Sequence, residues 1–158
     1  IFLCLAALYE SWSIPTVVMS AIPLGIGGNI LFSYLTGFPN DIYFQIALLT
    51  TIGLSCKNAI LIVEFASLAQ QKGQTAIEAA LEGASLRLRP ILMTSLAFGA
   101  GVTPLVFAFG AGAASRQEIG VSVLGGVIFG TVLVLLFIPL MYVLVRRVFH
   151  GRTPQEEV

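Results

Sequence analysis

Charged residues are scarce in this sequence, and their scarcity excludes most classes of protein. Only 10% of the 158 residues are Asp, Glu, Lys or Arg, whereas 57% are hydrophobic. Soluble domains contain roughly 25% charged residues, and a globule of this size cannot cover so much apolar surface. Disorder is excluded because it requires low hydrophobicity and high charge. The eight basic and eight acidic residues balance, which argues against a nucleic-acid partner. The composition indicates a protein of the lipid bilayer.

Cysteine and histidine are also rare, which argues against a metal site or a disulfide framework. Cys4 and Cys56 both lie inside apolar runs, and neither belongs to a C-x-x-C motif. Both are expected to pack as small hydrophobic residues. The single histidine, His150, lies in a polar tail and is given no function. We therefore expect no metal ion and no cofactor.

Four long apolar stretches predict an all-α membrane protein, a polytopic bundle of transmembrane helices. Each stretch has about 20 residues or more, enough to cross a bilayer as a helix. The chain opens inside an apolar run too short to cross, so we expect it to be the C-terminal part of a larger membrane protein. The predicted segments are the end of a truncated transmembrane helix (1–9), four full spans (15–36, 42–68, 90–110 and 119–145), a surface helix (74–86) and a cytoplasmic tail (146–158).

The segment 74–86 differs from the other connections because it has a helical pattern of its own. Thr75 precedes Glu78 by three residues, the spacing of a capping box. Ile77, Ala80 and Leu81 then fall on one helical face. These features predict a short amphipathic helix lying along the cytoplasmic membrane surface.

The basic residues outside the spans predict the orientation of the chain. Six of the eight lie on one side of the predicted membrane, and only Arg116 lies on the other. Cytoplasmic loops are enriched in Lys and Arg, so the six-residue side is predicted to be cytoplasmic, with the C-terminus inside. The six are Lys72, Arg87, Arg89, Arg146, Arg147 and Arg152.

Lys57 belongs to no loop and lies near the middle of the second full span. A lysine at that depth costs about 2.5–3.5 kcal/mol, so it should face the bundle interior and have a partner. Glu64 shares its stripe but lies two turns away, about 10 Å along the axis, too far for an ion pair. We therefore expect the counter-charge on a helix outside this chain. An ion or proton pathway is the default hypothesis; the alternatives are a snorkelling lysine and a purely structural ion pair.

A second polar stripe is predicted on the third full span, where Arg87 and Thr94 lie two turns apart on one face. Arg87 would lie at the cytoplasmic mouth, with Thr94 about 10 Å deeper. Taken separately, a membrane threonine commonly bonds to its own helix, and Arg87 could be a positive-inside anchor. The glycines of the spans indicate close helix packing; they are Gly25, Gly28, Gly125, Gly126 and Gly130.

The same residues admit two other functional classes. Ser55 and Lys57 could suggest a serine–lysine hydrolase. Positions i and i+2 point about 200° apart on a helix, however, so the two side chains cannot meet, and we predict that the protein is not an enzyme. A channel or a structural subunit of a membrane complex remains an alternative, because a single buried cation can also line a pore.

Three runs of the sequence closely resemble the resistance–nodulation–division efflux pumps, and best of all the hydrophobe/amphiphile branch of Gram-negative inner membranes. The runs are LAALYESWSIP (5–15), GLSCKNAILIVEF (53–65) and RLRPILMTSLAF (87–98). The resemblance extends to about Arg147. It implies the end of the eighth transmembrane helix followed by helices nine to twelve, the second half of the family's transmembrane domain.

The resemblance also implies a function and roles for three residues. Lys57 matches the tenth-helix lysine that pairs with two fourth-helix aspartates, which this chain does not contain. Thr94 and Arg87 match the threonine and the arginine of the same proton relay. Expected from the family are drug/proton antiport with H⁺ as the coupling ion, a homotrimer, a periplasmic adaptor protein and an outer-membrane channel. Metal-ion and lipid exporters of the same superfamily remain alternatives.

Overall fold

The computed structural model describes residues 2–149, and these fold as six α-helices without a strand. The prediction of an all-α membrane bundle is confirmed, because four segments are long and apolar enough to cross a bilayer. Ile1 and the predicted tail beyond Phe149 lie outside the described residues. The helices are α1 (Phe2–Tyr9), α2 (Ser13–Met19), α3 (Ala21–Thr36), α4 (Ile42–Gln71), α5 (Ala76–Val106) and α6 (Ala113–Phe149).

The predicted span 15–36 consists of two helices, α2 and α3, joined at Ser20. Pro23 has no N–H to donate to the carbonyl of Met19, so one helical hydrogen bond is missing where α2 ends. The span nonetheless counts as one apolar segment from Ser13 to Thr36. It ends at Gly37, whose φ of 71° is the left-handed conformation that glycine adopts most easily.

The predicted break between a surface helix at 74–86 and a span at 90–110 was wrong. Helix α5 runs without interruption from Ala76 to Val106 and contains Pro90. A proline removes one backbone hydrogen bond, and a packed membrane helix can absorb that loss. The capping box itself is confirmed: Thr75 Oγ1 accepts from the Glu78 N–H at 3.3 Å, and the Thr75 N–H donates to the Glu78 carboxylate at 3.4 Å. The position of this segment on the cytoplasmic surface stays a prediction.

Helix α6 is longer at both ends than the predicted span 119–145. It begins at Ala113, after a turn in which Gly110 and Gly112 both have positive φ. Residues 113–118 contain no helix breaker, so the helix extends beyond the apolar stretch. It also takes in residues 146–149, which were predicted to begin the tail.

Helix α6 lies at the centre of the bundle, in contact with α2, α3, α4 and α5. The core on its C-terminal half contains Ile62 and Val63 of α4 and Val134, Ile138 and Tyr142 of α6. Large apolar side chains cover much of the outer surface, as expected where a bundle faces lipid or further helices.

Glycines allow α3, α4 and α6 to approach one another closely, as the sequence predicted. A Cβ at Gly125 would overlap the ring of Phe32, and a Cβ at Gly25 would lie 2.9 Å from the hydroxyl of Ser55. A Cβ at Gly28 would meet the backbone N of Gly130 at 3.3 Å. This junction of three helices fixes the face that α4 turns into the bundle and, with it, the face that α4 leaves open.

Candidate functional site: the Lys57 face of helices α4 and α5

Lys57 is the sixteenth residue of the thirty in α4, so it lies at the middle of a membrane-spanning helix. Its side chain is exposed, on a face where a Cβ added at Gly53 would meet nothing within 4 Å. Within residues 2–149, Lys57 forms no hydrogen bond and no ion pair, and in particular it does not pair with Glu64. The lysine therefore lies on the uncovered side of α4, opposite the α3–α6 junction.

Thr94 lies at the same depth as Lys57, on the neighbouring helix. Asn58, the residue after the lysine, and Thr94 line one small cavity between α4, α5 and α6. The Thr94 hydroxyl donates to the carbonyl of Ile91 at 2.9 Å, the bond to its own helix that is common for a membrane threonine. The hydroxyl oxygen keeps its capacity to accept a hydrogen bond. Like Lys57, Thr94 is an exposed residue.

Arg87 lies two turns towards the N-terminus of α5, and it too is held against α4. The guanidinium carbon of Arg87 lies 3.8 Å from the centre of the Phe65 ring. Nε of Arg87 is buried and has no hydrogen-bond partner among the described residues. Two of the three residues predicted from sequence, Thr94 and Arg87, therefore lie along one seam, where α4 and α5 run side by side. Lys57 lies on the uncovered face of α4, next to Asn58, which lines the same cavity as Thr94.

A polar cavity beside this seam was not predicted from the sequence. It has a volume of about 10 Å³, at the lower limit of what can hold one water molecule. Two of its hydroxyls are paired, Ser95 Oγ with Thr131 Oγ1 at 2.8 Å across α5 and α6. Thr51, Ser55 and Asn58 supply the α4 side. The detectable signal was their spacing of four and three residues, which places polar side chains on one face of an apolar helix.

The geometry agrees with the rejection of a serine–lysine pair. Ser55 is buried against Gly25 and Gly130, whereas Lys57 is exposed on another face of α4. The two side chains therefore point in different directions, as the helical spacing predicted. Among residues 2–149 there is also no group of three or more His, Cys, Asp or Glu side chains that could hold a metal ion.

Comparison with known proteins gives a consistent result. Residues 1–146 match the sequence model of the AcrB/AcrD/AcrF family. The toluene efflux pump membrane transporter TtgB of Pseudomonas putida is 53% identical over all 158 residues. The multidrug resistance protein MdtF of Escherichia coli (strain K12) is 57% identical over 150 residues, 94% of this chain. The solvent-resistant pump membrane transporter SrpB of Pseudomonas putida is 55% identical over 152 residues, 96% of the chain.

These relatives are far longer than the chain, which spans 15% of TtgB and 14% of MdtF and SrpB. The alignment with TtgB nevertheless covers every residue of the chain, including all four candidate spans and the Lys57 face. TtgB and SrpB are membrane transporters by name, in agreement with the sequence resemblance. This multi-pass membrane chain belongs to the AcrB/AcrD/AcrF family of resistance–nodulation–division efflux transporters.

Proposed function

We propose that this chain is the C-terminal membrane part of a drug/proton antiporter, in which Lys57 belongs to the proton relay. The observation that carries the proposal is the mid-membrane lysine on an uncovered face of α4, with Thr94 level with it on α5. An ionisable residue at this depth marks an ion or proton pathway by default. The family resemblance supplies the partner, a pair of aspartates on a helix that would cover this face.

The relay works through electrostatics. While the aspartates are ionised, Lys57 is held between them as an ion pair. A proton that neutralises a carboxylate weakens that pair, and the ammonium group can then turn to another acceptor. The oxygen of Thr94 is such an acceptor, because its hydroxyl hydrogen is already donated to Ile91. One charge crossing the membrane releases about 2.3 kcal/mol per 100 mV, enough to bias a two-position switch.

The setting of the complete protein follows from the family and from the loop charges. We place it in a Gram-negative inner membrane with the C-terminus in the cytoplasm. By resemblance it forms a homotrimer and works with a periplasmic adaptor and an outer-membrane channel. The names of TtgB, SrpB and MdtF refer to toluene, solvents and multiple drugs, respectively. By extension, we propose that the complete protein exports hydrophobic and amphiphilic compounds.

The decisive experiment is Lys57→Ala in the complete transporter, reconstituted in proteoliposomes with an imposed pH gradient. We expect normal insertion and abundance, with loss of both gradient-driven drug transport and drug-stimulated proton flux. Lys72→Ala is the matched control, because Lys72 is an exposed loop residue at the end of α4. Transport by Lys57→Ala at the wild-type rate would sink the relay assignment.

Thr94→Val tests the second member of the relay. We expect transport to be slower than in the wild type, as for Lys57→Ala. The control is Thr103→Val on the same helix, because the Thr103 hydroxyl also donates to its own helix, to the carbonyl of Gly99 at 2.8 Å. Equal rates for Thr94→Val and Thr103→Val would remove Thr94 from the relay. Drug flux that continues without any proton gradient would instead support the channel alternative.

A further inference from the structure

Four polar side chains of α3, α4 and α6 are buried in the bundle, and Thr51, the one on α4, lies on a different side of that helix from Lys57. They are Asn29, Thr51, Glu118 and Ser122, and each is no more than 6% exposed. None of the following atoms has a hydrogen-bond partner among residues 2–149: Asn29 Oδ1 and Nδ2, Thr51 Oγ1, Glu118 Oε1 and Ser122 Oγ. A buried polar group without a partner destabilises the folded state, so this concentration of them requires a physical explanation.

Two of the four side chains, Glu118 and Ser122, belong to one strip of α6, and the other two face that strip from α3 and α4. Glu118, Ser122 and Gly126 follow one another at four-residue intervals and therefore share one helical face. A Cβ at Gly126 would lie 2.6 Å from Thr51 Oγ1 and would also contact Asn29 Oδ1. Asn29 and Thr51 thus point at the same spot on α6, one turn beyond Ser122.

We propose that this polar strip is a binding site for buried water molecules, which join α3, α4 and α6. Water fits because it donates and accepts. The oxygens of Asn29, Thr51 and Glu118 can take hydrogen bonds from it, and Nδ2 of Asn29 can donate to it. A cation could satisfy the oxygens but would leave the Nδ2 donor unpaired. Buried waters characteristically make two to four bonds to groups of this kind.

Space for one water adjoins Thr51, the α4 member of the strip. Thr51 also lines the cavity of about 10 Å³ between α4, α5 and α6, and Ser55 lines it one turn further along α4. Gly25, Gly126 and Gly130 have no side chains, so polar side chains of the neighbouring helices occupy the space that a methyl group would otherwise fill. The inference does not depend on the proton relay, because Lys57 lies on the other face of α4.

Thr51→Val in the complete transporter tests the proposal, because the apparent Tm should fall if the proposal is right and should not fall if it is wrong. If water bonds the hydroxyl, its loss leaves that water and Asn29 with fewer partners, and the apparent Tm falls. If the hydroxyl has no partner, its removal relieves a buried unpaired group, and the apparent Tm stays equal or rises. The control is Thr50→Val, the adjacent residue, whose hydroxyl donates to its own helix at Ile46. A Tm for Thr51→Val at or above that of Thr50→Val overturns the proposal.

A structure of the complete transporter, at a resolution that shows other buried waters, provides the direct measurement. We expect a water peak within about 3.2 Å of at least two of the four side chains. The peak should disappear when Thr51→Val and Ser122→Ala are combined, a pair of small changes that the fold should tolerate. Direct bonds among the four side chains with no peak between them would overturn the proposal, as would a Tm that depends on added Na⁺.

Discussion

The guanidinium of Arg87 on α5 lies over the ring of Phe65 on α4, 3.8 Å from its centre. The contact joins a residue predicted from sequence to a neighbour that no sequence pattern singles out. It holds α5 against α4 near one end of the seam along which Thr94 also lies. Arg87 therefore has a packing contact with α4 in addition to its charge.

Phe65→Leu should weaken this attachment. A cation over an aromatic face contributes about 0.5–2 kcal/mol, and leucine keeps the apolar volume without the ring. We expect a lower apparent Tm than wild type and no further loss when Arg87→Ala is added. A double-mutant cycle on thermal stability measures the coupling. Strictly additive effects of the two substitutions would show that the stacking contributes nothing.

Gly83→Ala should be strongly destabilising. A Cβ at Gly83 would lie 2.9 Å from the backbone N of Ala66 and 3.0 Å from the backbone O of Ile62, and neither atom can move alone. Overpacking of this kind costs about 1–3 kcal/mol. Gly99→Ala on the same helix is the control, because nothing lies within 4 Å of its Cβ position, and alanine favours helix there. Thermal unfolding in detergent would contradict the prediction if both variants unfolded together.

Tyr142→Phe should loosen α6 from α4 near the C-terminal ends of the two helices. The Tyr142 hydroxyl, on a residue that is 1% exposed, donates to Gln70 Oε1 at 2.8 Å. Loss of this bond should cost about 1 kcal/mol. Tyr34→Phe changes the same group on a residue that is 85% exposed and should have no effect. Proteolysis or thermal unfolding of the two variants separates them, and an unchanged Tyr142→Phe would refute the prediction.

Thr75→Ala should fray the start of α5. The capping box supplies two hydrogen bonds to helix-end N–H groups, and loss of the side chain at such a position costs about 1 kcal/mol. Thr75→Ser retains the hydroxyl and should behave like wild type. Amide hydrogen exchange over residues 75–80 measures the effect locally. Equal exchange in the alanine and serine variants would mean that the cap does not hold this end.

Part of the site could be predicted from sequence because some signals are local. Lys57 is anomalous in its own apolar helix, and Thr75 and Glu78 form a cap within one turn. The polar strip could not be predicted, because Asn29, Thr51 and Ser122 are each unremarkable in a membrane helix and Glu118 lies outside the predicted span 119–145. It emerges only when three helices, distant along the chain, bring their polar faces to one place.

Composition and helical periodicity were sufficient to predict that the chain is a membrane protein, that it has four spans and that Lys57 lies at mid-membrane depth. The loop charges predict the orientation. These properties depend on neighbouring residues, so they can be read along the chain. Three features are visible only in the tertiary structure: α5 continues through Pro90, Arg87 stacks on Phe65, and α4 buries one particular face. They depend on packing between helices, where glycines at 25, 28, 125 and 126 let α3, α4 and α6 meet and leave Lys57 on the uncovered face.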